Sequence, residues 1–153
     1  MSKGIVFDKL DGSSFRIGIV VSRWNNHITD ALLGRCKEAL FETGVEEKNI
    51  SVYQVPGAFE IPFVVSKLIR EKNIDVIICL GSLIKGETMH FEYIADSVTK
   101  AIMRLNIDND IPIIYGVLTC LTEQQAIDRS SESKNSGYEW GKAAIEMAKM
   151  LKH

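Results

Sequence analysis

"DVIICLG", residues 75–81, is the stretch on which the fold turns. A strand with one wet face alternates apolar and polar residues, whereas here Val76, Ile77, Ile78, Cys79 and Leu80 run unbroken up to Gly81. That pattern suits a strand of a parallel sheet covered on both faces. Three more runs read alike: "RIGIVVS" (16–22), "ISVYQVP" (50–56) and "PIIYGVL" (112–118). Between the runs the apolar residues change to helical spacing. Ile28, Ala31, Leu32, Ala39 and Leu40 share one face, Ile61, Val64, Val65, Leu68 and Ile69 a second, and Ile94, Val98, Ala101, Ile102 and Leu105 a third. A last helix runs through "AAIEMAKML" (143–151). Strands alternating with helices predict an α/β fold: a three-layer sandwich around a parallel four-stranded sheet, joined by right-handed crossovers. "GIVF" (4–7) is a candidate N-terminal edge strand.

At 153 residues the chain is long enough to bury a core and reads as one domain, 1–153, with no repeat or linker. A formal charge of −2 argues against a nucleic-acid surface, so any anion must be held by a few placed donors. No apolar run approaches the roughly 20 residues that span a bilayer. The start, "MSKGIVFDKLDG", has neither the apolar core nor the cleavage site of a signal peptide, so no membrane contact and a cytoplasmic location are expected. Cys36, Cys79 and Cys120 are odd in number and widely spaced, and read as buried thiols rather than as catalytic groups or metal ligands.

Open parallel sheets hold ligands beyond the carboxyl ends of their strands. The four segments that follow the runs are "RWNN" (23–26), "PGAFEIP" (56–62), "SLIKGETMH" (82–90) and "TCLTEQQAIDR" (119–129). Trp24 is either a rim aromatic or an indole set to stack on a planar ring beside Asn25. Gly57, before Ala58, either permits a turn or lets backbone amides approach a ligand. Glu60 is a solvated first-turn acid or a binder of hydroxyls. Gly86, Glu87 and Thr88 stand where a helix should begin, and their N–H groups can cap it or hold a phosphate. Lys85 reads as a solvated charge. His90 is a surface residue or a proton shuttle, and Arg129 a partner for Asp128 or Glu132 or a fork of donors for phosphate.

"VPGAFEIP", "LIKGETMHFEYIADS", "PIIYGVLTCLTEQQAIDR" and "NSGYEWGKAAIEMA" occur in this order across residues 15–150. Together they resemble the 6,7-dimethyl-8-ribityllumazine synthase family, with "RWNN" closest in wording to fungal-type members. The resemblance implies a flavodoxin-like sandwich that condenses 5-amino-6-ribitylamino-2,4-pyrimidinedione with 3,4-dihydroxy-2-butanone 4-phosphate, without metal or cofactor. It implies that Trp24 stacks on the pyrimidinedione with Asn25 nearby. Gly57, Ala58, Phe59 and Glu60 would line the ribityl site, and Ser82, Leu83 and Ile84 would offer backbone hydrogen bonds to the ring. Gly86, Glu87, Thr88 and Arg129 would hold phosphate, and His90 would be the acid/base group. Tyr115 and the Arg129 segment would come from the neighbouring subunit of a homo-oligomer, with riboflavin or another flavin as a competing ligand. Many members carry lysine where this chain has Ser136 in "NSG". Given the wording of "SSESKNSG" (130–137), a pentamer is favoured over a sixty-subunit shell.

These residue types suit that chemistry. Joining an amine to a ketone needs proton transfers near neutral pH, which a histidine supplies at roughly 10² to 10⁴-fold. Loss of phosphate needs donors aimed at the leaving dianion, and holding two substrates together supplies much of the rest. Two other classes fit the architecture. A flavin-storage protein would stack an isoalloxazine on Trp24. A receiver-type signalling domain would need acids after its first strand and an aspartate after its third, where this chain has "SRWNN" and "GSLIKGE".

Overall fold

The computed structural model describes residues 5–71 and 73–152. The four apolar runs form β1 (Ile17–Ser22), β2 (Ile50–Val55), β3 (Val76–Ile84) and β4 (Ile113–Cys120), all parallel, in the order β2-β1-β3-β4. Ile17 is level with Ile50 and with Val76, and Ile77 with Ile113. β3 runs three residues past Gly81, because β4 continues to pair with it as far as Ile84 and Cys120.

In β1 and β3 the unbroken apolar runs are explained by cover on both sides, whereas β2, at the sheet edge, departs from the expectation and exposes Ser51 and Gln54. α1 (Asn26–Glu42), α4 (Glu123–Ser130) and α5 (Ser136–Leu151) lie on one face, where Ile19 and Ile78 meet Leu32, Ala126 and Ile145. α2 (Ile61–Leu68) and α3 (His90–Asp108) lie on the other, where Val20 and Ile77 meet Val65 and Ile102. Each such side chain removed from water contributes about 1.5–3 kcal/mol. The three helical faces read from the sequence are therefore those of α1, α2 and α3. Cys36, Cys79 and Cys120 are buried free thiols, as expected.

α5 begins earlier than "AAIEMAKML" suggests, and its first two turns are special. A Cβ on Gly137 would stand 2.2 Å from the Leu32 carbonyl oxygen, and one on Gly141 would stand 2.7 Å from that of Cys36. These glycines, four residues apart, let α5 lie directly on the backbone of α1. At the edge of this seam the Tyr138 hydroxyl and Lys142 both meet the Glu42 carboxylate.

Two features differ from the sequence reading. α4 is a helix of its own where the sequence shows only the segment after β4; its surface is polar, so apolar periodicity does not reveal it. It is set by a capping box in which Thr122 Oγ1 accepts from Gln125 N at 3.2 Å and the Gln125 side chain accepts from Thr122 N at 3.4 Å. The candidate edge strand "GIVF" does not form. Gly4 lies outside the described residues, and Ile5, Val6 and Phe7 take no strand, Val6 being 96% exposed. The reason is where the chain enters. Gly12 N–H donates to the Thr43 carbonyl at 2.7 Å, and Gly12 itself packs among Thr43, Val45 and Ile145. Residues 5–11 thus lead into a point beside the end of α1 and Ile145 of α5, and none of them takes strand structure.

Candidate active site

The segments after β1 and β2 are laced together. Arg23 N–H donates to the Val55 carbonyl at 2.9 Å and Trp24 N–H to that of Pro56 at 3.0 Å. Trp24 is 68% exposed, and one edge of its indole rests on Gly57, where a Cβ would stand 2.9 Å from Trp24 Cε3. A side chain at Gly57 would therefore crowd the indole, a close approach that the two readings from the sequence did not include. Asn25 occupies the N-cap position of α1 with φ 60° and ψ 45°. Among the described residues it is the one non-glycine with positive φ, in the left-handed region that asparagine tolerates better than most. Its side chain does not cap its own helix, forgoing a contribution of about 1 kcal/mol. Nδ2 instead reaches across to the Ser82 carbonyl at 2.9 Å.

After β2, Glu60 is tied down rather than free. Its Oε1 accepts from Gly57 N at 3.0 Å, which closes the 3₁₀ turn Ala58–Glu60 ahead of α2. Ala58 is buried beneath this turn and Phe59 is exposed on it. Within the last residues of β3 itself, Ser82 is buried and Leu83 and Ile84 are half-buried. Lys85 N–H donates to the Cys120 carbonyl at 2.9 Å, and the Lys85 ammonium pairs with the Glu92 carboxylate of α3, bracing both ends of the exposed loop between them. That loop carries Gly86, Glu87 and Thr88. The sequence places them at the start of the helix, yet α3 begins at His90 with Met89 as its N-cap, so they precede it. A Cβ on Gly86 would have nothing within 4 Å, so packing within the chain does not demand glycine there. His90, the first residue of α3, is exposed. Ser82–Ile84 thus form the carboxyl end of β3, and Trp24, Asn25, Gly57–Glu60, Gly86–Thr88 and His90 follow the carboxyl ends of three adjacent strands.

Among the described residues neither Tyr115 nor Arg129 makes a hydrogen bond to that group. Tyr115 is level with Cys79 in the middle of β4, and its hydroxyl lies 2.7 Å from Thr99 Oγ1 of α3. Arg129 is on α4, across the sheet from α3, with Nη1 donating to the Gln125 carbonyl of its own helix at 3.0 Å. Ser136 opens α5 directly after Asn135, a residue the sequence reading passed over. Asn135 Oδ1 accepts from Gly137 N at 2.8 Å, and its Nδ2 donates to the carbonyls of Ala31 (3.0 Å) and Ser130 (2.9 Å), fixing the junction of α4 and α5 to α1. An asparagine just before a new helix is the signal that could have found it.

Burial pushes the Cys36 thiol up to about 12 and raises Cys79 further. Burial also raises Cys120, against the opposing charge of Arg129. At neutral pH these are thiols, and thiolate chemistry is not theirs. Among the described residues no three His, Cys, Asp or Glu side chains come together as a metal site, and no helix is long and apolar enough to cross a membrane.

Residues 14–152 match the family model described as 6,7-dimethyl-8-ribityllumazine synthase. That match takes in every segment at the carboxyl rim, together with β4, α4 and α5. The chain belongs to the 6,7-dimethyl-8-ribityllumazine synthase family, whose members assemble as oligomers, and it is a transferase of riboflavin biosynthesis that condenses 5-amino-6-ribitylamino-2,4-pyrimidinedione with 3,4-dihydroxy-2-butanone 4-phosphate, releasing phosphate and water.

Proposed function

We propose that the chain, acting as a single domain 1–153, carries out this condensation at a site shared between two copies, with His90 as its acid/base group. The observation that carries this reading is the bonding just described: Tyr115 and Arg129 bond to Thr99 and to the Gln125 carbonyl, not to the rim residues from Trp24 to His90. A second copy that sets its own Arg129 and Tyr115 against the rim completes the set. Apolar side chains exposed on α2 and α3, among them Phe63, Tyr93, Met103 and Ile107, supply surface for such assembly. A pentamer is the proposed form, and the cytoplasm its location.

In this reading Trp24 stacks on the pyrimidinedione, and the backbone at Ser82, Leu83 and Ile84 hydrogen-bonds the ring edge. Phe59, Ala58 and the Gly57–Glu60 turn border the ribityl chain, with the carboxylate of Glu60 facing hydroxyls. The phosphate lies against the N–H groups of Gly86, Glu87 and Thr88 and the guanidinium of Arg129. The exposed, uncrowded backbone at Gly86 supports that approach. His90 returns and removes protons as the amine adds to the ketone carbonyl and the carbinolamine loses water. Phosphate leaves with the electron pair of its C–O bond, and fixed donors favour the leaving dianion over the ester. A flavin, flat like the lumazine product, would compete for the Trp24 face.

The test follows the lumazine product by fluorescence. His90→Ala should lower kcat roughly 10² to 10³-fold without abolishing turnover, since positioning remains. Arg129→Ala should raise KM for the phosphate substrate. Co-expressing the two variants should restore activity above either alone, because mixed assemblies contain sites with both native residues. Absence of any recovery in verified mixed assemblies would show that the two residues serve one site from the same copy.

A further inference from the structure

We infer that Asn25 is a positioning residue, one that sets the Trp24 face and the backbone at the carboxyl end of β3 into a single slot for the pyrimidinedione. This rests on the reading that Trp24 and the Ser82–Ile84 backbone take the ring. Two independent features carry it. The first is the backbone: φ 60° at Asn25 turns the chain so that Trp24 stays at the end of β1 while α1 starts at Asn26. The second is the side chain, whose Nδ2 donates to the Ser82 carbonyl, 57 residues away, instead of capping its own helix.

Held backbone strain and a neglected cap at a ligand-facing rim are what selection for position, rather than for stability, leaves behind. The clamp acts on the carbonyl alone: the Ser82 hydroxyl, also buried, has no partner among the described residues. A carbonyl oxygen has two lone pairs, so the one that Asn25 occupies fixes the peptide plane and leaves the other for a donor on the ring. The indole lies close against Gly57, so in this reading the ring face and the ring edge are met by parts that Asn25 holds in register.

Three substitutions separate the roles. Asn25→Asp keeps the shape and the tolerance of positive φ but removes the donor and turns a carboxylate on the carbonyl. Asn25→Gly keeps the backbone freedom and removes the side chain. Trp24→Ala tests the slot itself. Steady-state kinetics with each substrate varied should show KM for the pyrimidinedione raised roughly tenfold in Asn25→Asp and Asn25→Gly. KM for the butanone phosphate and kcat should stay within about twofold. Quenching of tryptophan emission by the pyrimidinedione should shift to correspondingly higher concentration. If Trp24→Ala raises that KM while both Asn25 variants leave it unchanged, the positioning role is wrong and the slot stands. If Trp24→Ala leaves it unchanged, the slot reading falls and the inference with it. A parallel rise of both KM values, with a lower Tm, would mark Asn25 as a merely structural residue.

Discussion

The seam between α1 and α5 and the loop before α3 both depend on glycine, for opposite reasons. At Gly137 and Gly141 the place of a Cβ is already filled by the backbone of α1, so the residue is dictated from inside the chain. At Gly86 the same place is empty. A glycine crowded by its own fold reports on packing, whereas an uncrowded one leaves the backbone open to approach where its loop is exposed, as at Gly86. The contrast extends to their surroundings. Asn135 satisfies three backbone groups beside the seam, while the exposed loop at 86–88 is braced by the Lys85–Glu92 pair and by Thr88 Oγ1 accepting from His90 N–H at 3.4 Å.

Alanine at each kind of glycine can break this comparison. Gly137→Ala should have the largest effect, about 3 kcal/mol of destabilisation or roughly 10 °C in Tm, because backbone must move to admit the methyl group. Thermal unfolding followed by circular dichroism measures it, and an unchanged Tm would mean that the seam is looser than its distances say. Gly86→Ala should leave Tm unaltered yet raise KM for the phosphate substrate about fivefold, a change read from initial rates. Should Tm fall instead, a second copy packs on this loop and the glycine belongs with the seam after all. The smallest effect is expected at Gly34, an exposed position within α1 whose Cβ would also meet nothing. Gly34→Ala should stabilise by about 0.5–1 kcal/mol through helix propensity alone, with both KM values unmoved. The same melting curve reads this, and a loss of stability would reveal an intersubunit contact there.

Much of the fold was legible because burial on both faces writes itself into uninterrupted Val and Ile, as in residues 76–80, and because the α1, α2 and α3 faces repeat at helical spacing. α4 escaped that logic. Its only buried residues are Ala126 and Ser130, too few to make a stripe, and its start is written instead in Thr122 and Gln125. "GIVF" misled in the other direction: β-prone composition states what a segment can do, while pairing needs an edge within reach. At the rim, residue types and order suggested which segments would converge. What they could not convey was the division of labour within them. Asn25 reads as a ligand-facing amide until its partner on the neighbouring strand β3 is seen, and Glu60 as a free acid until its bond to Gly57 is seen. Neither is written in local sequence, because one partner is 57 residues away and the other depends on a particular turn.

The three buried thiols have a practical corollary. Cys36, Cys79 and Cys120 are the only cysteines of the chain, all are enclosed, and all are held in the protonated form that alkylating reagents attack slowly. A cysteine introduced at an exposed position such as Met89 would therefore react first and nearly alone. The native protein is in effect already a silent background for attaching a single spectroscopic label beside His90.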